Sequence, residues 1–267
     1  MSRLLSLAEA VNVFSSMPAE KQIPSLHPEY VNVDSLRDSR LKPTFWLYSN
    51  SSFKCLRSFH VVDTPLQNGQ IVKDIESAYG YGGVICTSSD PLLSEKAHQN
   101  FCSWSQKESL VAEFCRIHPL LANQQYFFSK KQQNRDVVQI LLSSDFFSGY
   151  RKKRRWTIKK ELKKNIRLVC AKNCSEISLF RFLYYETMTR AGASNFYFFT
   201  DKYFEQLFLL DSVKLWLIFY DNLPLAAAVV LESEASGIVE YHLGAYVVSS
   251  KHQPMETLLH LVAVHYS

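Results

Sequence analysis

Glu76-Ser77-Ala78-Tyr79-Gly80-Tyr81-Gly82-Gly83 is the stretch on which the reading of this chain turns. Three of the chain's eight glycines fall within its last four positions. Glycine has no side chain and tolerates positive φ, so the cluster lets backbone turn sharply and approach a ligand closely. It serves equally as a tight structural turn with tyrosines packed beside it. Short β-branched or aromatic runs precede it at residues 45–48, 55–62 and 70–75, and another follows at 83–86. Asn50-Ser51-Ser52 and Gln67-Asn68-Gly69 separate these runs, which predicts strands joined by turns. Next, Asp90 and Pro91 suit an N-cap and a first helical position, and Leu92, Leu93, Ala97, Phe101 and Trp104 recur near helical spacing. Residues 110–118 and 137–142 return to strand character.

From Tyr150 the pattern changes. Ile158, Leu162 and Ile166 at four-residue spacing predict one apolar stripe on a helix over 150–165 whose other faces are basic. Residues 167–170 read as a short strand and 175–190 as a helix burying Ile177, Phe180, Leu183, Tyr184 and Thr187. A helix over 201–210 follows, then two apolar runs, 214–220 and 225–231, joined as a hairpin through Asp221-Asn222-Leu223-Pro224. A strand over 237–246 and a helix from Pro254 to His265 complete a mixed α/β (α+β) pattern.

The chain has 267 residues, and 47% of them are hydrophobic, enough to bury a core and to exclude disorder. Its formal charge of +5 is unevenly spread. Residues 151–164 hold nine basic residues and one acid, a net of +8, which leaves −3 on the other 253. A single basic segment on a slightly acidic body argues against a protein that is basic all over, as a general nucleic-acid binder would be. No groove-reading motif points to DNA. No apolar run approaches the roughly 18 residues that span a bilayer. Glu9 interrupts the apolar N-terminal residues, so they read as a short amphipathic helix. The six scattered cysteines include one C-x3-C pair, Cys170 and Cys174, with no second pair to complete a zinc site. Reduced, buried thiols and a cytoplasmic location are expected, with no metal.

Six motifs occur in order: Leu26-His27-Pro28-Glu29-Tyr30, the glycine stretch, Arg116-Ile117-His118-Pro119-Leu120, the basic helix, Phe198-Phe199-Thr200-Asp201-Lys202-Tyr203-Phe204, and Tyr241-His242-Leu243-Gly244-Ala245. Together they resemble the FemAB-like acyltransferases, a GNAT-type group with relatives in cell-wall bridge and envelope polysaccharide synthesis. The resemblance covers residues 25–267. It implies two tandem GNAT-like halves, each a mixed, mainly antiparallel sheet flanked by helices. These are expected at 30–149 and 150–267, after a lead-in at 1–29. Relatives continue past the closing helix, so a truncated C-terminal half is expected. The resemblance also implies transfer of an acyl or aminoacyl group from an activated ester or thioester to an amine of an envelope sugar or peptide precursor. Acyl-CoA or aminoacyl-tRNA would be the donor, with no tightly bound cofactor. The acceptor would be a small, nucleotide-linked or lipid-linked amine, which places the protein near a membrane surface. A glycine-rich phosphate loop is missing before the last helix, and Val84 stands where the family usually has proline.

Within that frame Tyr79, Gly80, Tyr81, Gly82 and Gly83 are candidates for acceptor binding. Arg116 and His118, two apart on an expected strand, share a face. Arg116 suits a phosphate or carboxylate and His118 a proton near neutral pH, or each is simply hydrogen-bonded structure. Glu76 is the carboxylate best placed to accept the amine proton, unless it is a solvated strand end. Tyr241 is a candidate acceptor-side hydrogen-bonder or a core residue. Lys251, before a helix N-terminus, suits a donor phosphate. The basic helix either contacts tRNA or another polyanion, or is a solvated face. A non-catalytic polyanion- or RNA-binding module built on that helix is the rival to the enzyme.

Overall fold

A computed structural model describes residues 1–121, 123–127, 130–143, 145–171, 173–248 and 252–267. The chain forms two units. The first comprises Met1–Arg135, Thr200–Leu210 and Glu232–Val239, and the second Asp136–Phe199, Asp211–Leu231 and Glu240–Ser267.

The N-terminal residues begin as a strand, β1 (Ser2–Leu5), paired antiparallel to residues 45–48, where a helix alone was expected. Helix α1 (Leu7–Ser15) then starts at Ser6, which exchanges hydrogen bonds with Glu9 in a capping box. Helix α2 (Pro28–Asp34) precedes the strands β2 (Leu41–Ser49), β3 (Lys54–Pro65), β4 (Ile71–Glu76) and β5 (Val84–Cys86). Helix α3 (Pro91–Lys107) begins as its sequence predicts, with Asp90 accepting from the Leu92 and Leu93 N–H groups. Strand β6 is Leu110–Phe114. The sheet runs β1-β2-β3-β4-β6, with β5 on β3. Pairing is antiparallel apart from β4 with β6, which is parallel.

Because side chains alternate along a strand, β3 sends Cys55, Arg57 and Phe59 to one face and Leu56, Ser58 and His60 to the other. The first face meets α3: Phe101 lies edge-on to Trp46 at 5.1 Å and to Phe59 at 5.7 Å. Arg57, 5% exposed, lays its guanidinium 3.6 Å from the Phe101 ring centre and pairs with Glu113. The opposite face meets α2, where His60 Nε2 lies 2.8 Å from the Val31 carbonyl oxygen.

In the second unit α4 (Lys152–Glu161) is followed by β7 (Ile166–Cys170) and α5 (Cys174–Arg190). Helix α6 (Asp201–Leu207), shorter than its pattern predicts, belongs to the first unit. Strands β8 (Val213–Tyr220), β9 (Leu223–Ser233) and β10 (Ile238–Tyr246) and helix α7 (Pro254–Tyr266) complete the chain. The sheet order is β10-β9-β8-β7. The expected hairpin forms, and Asp221 and Asn222 both take positive φ, 46° and 66°, the twist-matching turn of tight hairpins.

Three expectations fail here. Residues 137–142 form no strand; they are irregular, and Val138 and Leu141 are exposed, since a β pattern without an edge to pair with gains nothing. The predicted apolar stripe does not form one helix face either. Ile158 alone is buried; Leu162 caps the helix at 40% exposure, and Ile166 already belongs to β7. Nor are all the thiols buried, because Cys174 is exposed.

Candidate functional site

The turn after β4 is held from several directions. Beyond the ladder the chain at 77–83 keeps running beside the chain at 114–118. Ser77 N–H donates to the Phe114 carbonyl (3.0 Å), Arg116 N–H to Ser77 Oγ (3.2 Å) and Gly82 N–H to the Arg116 carbonyl (2.8 Å). His118 N–H returns a bond to the Gly82 carbonyl at 3.3 Å. From α2, the Tyr30 hydroxyl donates to the Tyr79 carbonyl at 2.6 Å, and Asp34 Oδ2 accepts the Tyr79 N–H at 2.9 Å. Arg116 Nη1 reaches the Gly80 carbonyl at 3.3 Å.

The glycines have distinct reasons. Gly80, at φ +102°, faces open space, so its requirement is the backbone conformation alone. Gly83, at φ +143°, packs so closely on Asn123 that a Cβ would overlap the side-chain amide. That buried amide donates to the Val84 carbonyl at 3.3 Å. Gly82 is closed in by Ser77. The turn is therefore fixed at its base and open at Gly80.

Behind it lies a buried charge cluster. Arg37 Nε donates to Asp34 Oδ2 at 3.1 Å and Arg37 Nη2 to Glu76 Oε1 at 2.7 Å, with the Asp34 side chain fully buried. Burial alone would lower the Arg37 pKa, but Asp34 and then Glu76 outweigh it and raise it further, so the guanidinium stays charged. His60, in register with Glu76 and with Nδ1 3.7 Å from Asp34 Oδ2, has its pKa lowered by burial more than Asp34 raises it, and stays neutral. Burial pushes the Cys115 thiol up to about 12, which keeps it protonated near neutral pH. A gap of about 10 Å³ behind Gly83, lined by Arg57, Ser77, Glu113, Cys115 and Phe127, has room for no more than a water molecule.

Glu76, Tyr79, Gly80, Tyr81, Gly82, Gly83, Arg116 and His118 are thus brought together. Arg116 and His118, however, do not share a strand face. Strand β6 ends at Phe114 and only Ile117 bridges to Gly82, so Arg116 is exposed while His118 is 2% exposed. His118 Nδ1 accepts the Leu120 N–H at 3.2 Å, which puts the neutral ring's proton on Nε2, and the Tyr81 ring meets it edge-on at 4.9 Å.

Tyr241 lies in the second unit on β10, 53% exposed, with its phenol over Gly244. Lys251 lies outside the described residues. The α7 N-terminus is partly occupied by the protein itself: Glu161 Oε2 accepts the Gln253 N–H at 3.3 Å, and first-turn Glu256 pairs with Arg154. Burial would raise the Glu161 pKa, but Lys164 and the Gln253 N–H outweigh it, so the carboxylate stays charged there. Sequence reading missed Asp34, Arg37 and His60. The i, i+3 spacing of Asp34 and Arg37 was the available signal.

No family model and no curated protein matches the chain. Solved structures do. FemX aligns over 100% of this chain and 85% of its own, at TM-score 0.68 and 10% identity. The C-terminal domain of a putative lysylphosphatidylglycerol synthetase from Agrobacterium fabrum covers 98% of this chain and 76% of its own, at 0.61 and 10%. L-PGS from Bacillus licheniformis covers 97% and 71%, at 0.59 and 14%. At such identities the likeness is one of fold, and at that level it bears out the resemblance read from the ordered motifs. No described helix is long and apolar enough to cross a membrane. Along its whole length, the chain has the mixed α/β fold of FemX.

Proposed function

We propose that this chain is an acyltransferase that moves an acyl or aminoacyl group from acyl-CoA or aminoacyl-tRNA to an amine of a cell-envelope precursor. One observation carries the reading: in a FemX-like fold, the Tyr79–Gly83 turn is anchored at Tyr79 by Tyr30 and Asp34 and at Gly82 by the Arg116 carbonyl, while the space a Gly80 side chain would take is open beside the Arg116 guanidinium that holds the Gly80 carbonyl. The name lysylphosphatidylglycerol synthetase, borne by one neighbour, supports aminoacyl transfer in the envelope as the broad class.

In the reaction the acceptor amine attacks the activated carbonyl. A C–N bond forms, the C–O or C–S bond to the carrier breaks, and the proton given up by the amine ends on the carrier's departing oxygen or sulfur. An activated ester needs little covalent help, so the protein's part is to position the amine and favour its neutral form. The open backbone at Gly80, with Tyr81 and the exposed Arg116 beside it, is the acceptor contact in this proposal. Glu76 and His118 fit positioning better than proton acceptance, because Arg37 holds Glu76 Oε1 and the Leu120 N–H holds His118 Nδ1. Tyr241 as an acceptor-side hydrogen-bonder and Lys251 as a donor-phosphate contact complete the proposal.

The test offers the purified chain labelled acyl-CoA and aminoacyl-tRNA against sugar and peptide amines. Tyr81→Ala and Arg116→Ala should each lower transfer by about a hundredfold, the scale of a misplaced reactant, with unchanged circular dichroism. Full rates in both variants would remove this site, and no transfer from either donor would remove the reading.

A further inference from the structure

Unpaired positive charge and exposed apolar side chains gather in one stretch of the second unit. On α4, at about 100° per residue, Lys159, Lys152, Trp156, Lys160 and Lys153 fall in that angular order within an arc of about 120°. Trp156 sits at the centre, 64% exposed, while Ile158 points the opposite way and is buried. The four lysines are exposed. Of the nine basic residues between 151 and 164, Arg154 pairs with Glu256 and Lys164 with Glu161, and the other seven have no acidic partner among the described residues. Lys160 Nζ stands 5.4 Å from the Trp156 ring centre. Just upstream, the irregular residues 137–142 hold Val137, Val138, Ile140 and Leu141 exposed, Val138 at 90% and Leu141 at 75%.

We propose that the exposed side chains of residues 137–141 and of α4 form a docking surface for an anionic lipid bilayer. The lysines on either side of Trp156 meet lipid phosphates, the indole lies at the headgroup level, and Val138 and Leu141 enter the acyl boundary. Juxtaposed cations, an outward tryptophan and exposed aliphatics are what an interfacial membrane segment needs. Charge complementarity selects anionic over neutral lipid. The aliphatic residues select a bilayer over RNA, whose phosphates would use the lysines and stack on the indole but leave Val138 and Leu141 in water. This inference does not rest on the transferase reading, since binding is measured without a donor.

The experiment is flotation of the full chain with vesicles of phosphatidylcholine alone and of phosphatidylcholine with phosphatidylglycerol, at low and high salt, beside binding to single-stranded RNA. Binding is expected to the anionic vesicles only, and to weaken with salt. The triple variant Lys152→Glu, Lys159→Glu, Lys160→Glu should lose at least tenfold in affinity. Val138→Asp with Leu141→Asp should also weaken vesicle binding, although the lysines remain. Tryptophan emission should shift to the blue on binding in the native chain but not in Trp156→Phe. These positions are exposed, so circular dichroism should be unchanged throughout. No binding to anionic vesicles, or equal binding to neutral ones, would overturn the proposal. So would RNA binding that needs the lysines and vesicle binding that ignores the aspartate variants.

Discussion

Around the glycine turn Arg37 is 5% exposed and shared between Asp34 and Glu76, while on α4 Lys152, Lys153, Lys159 and Lys160 face solvent with no acidic partner among the described residues. The two regions handle charge in opposite ways for one reason. A buried ion is tolerated only when paired and hydrogen-bonded, whereas an exposed one is stabilised by water whether or not a partner is near. The cluster behind the turn is therefore a structural support, and the face of α4 has charge to spare for a partner.

The sharpest way to break that contrast is Asp34→Ala. It would take Asp34 from Arg37 while Glu76 stays, and remove the acceptor of the Tyr79 N–H. Breaking a buried pair from one side costs about 3–5 kcal/mol, and a urea-unfolding midpoint should report a loss of that size. A change below about 1 kcal/mol would mean that the cluster does not support the turn. Transfer activity should fall with it, because Tyr79 loses the anchor of its N–H.

A smaller effect separates the glycines inside the turn. Gly83→Ala must adopt positive φ and push aside the buried Asn123 amide, so it combines backbone strain with a lost hydrogen bond to Val84. Together these cost about 2–4 kcal/mol. Gly80→Ala meets nothing within 4 Å, so only the conformational cost of about 1–2 kcal/mol remains. Equal losses in the two variants, measured by the same denaturation, would contradict the crowding assigned to Gly83. Adding Asn123→Ala to Gly83→Ala should return part of the loss.

What the sequence revealed follows the same division. Strands and helices with strong local patterns were legible: the β-branched and aromatic runs of β2 and β3 between turn residues, the Asp90-Pro91 start of α3, and the turn residues between β8 and β9. The glycine turn and the Arg116 segment were singled out from order and residue type, and the fold does bring them together. The Asp34–Arg37–His60 cluster was not legible, because its members come from α2, the residues just after it, and β3, and only tertiary pairing gives them a common purpose. Residues 137–142 failed in the other direction. Their β-branched run satisfies the local rule for a strand, but local preference forms no ladder without a neighbouring edge. The same holds for Ile158, Leu162 and Ile166, whose spacing fits a helix that ends at Glu161 before the stripe is complete.

The smallest expected effect is also the one that sharpens the comparison most. Lys159→Ala removes a side chain from an exposed face where its neighbours Lys152 and Lys160 are of like charge. It gives up no ion pair among the described residues. The substitution should move stability by less than about 0.5 kcal/mol in either direction. Any shift should favour the variant at low salt, because relieving repulsion between like charges is a screened, surface effect. A destabilisation above about 1 kcal/mol would show that Lys159 holds the second unit together, and the charge on α4 would then belong to the fold, as that of Arg37 does, with less of it free for a lipid surface.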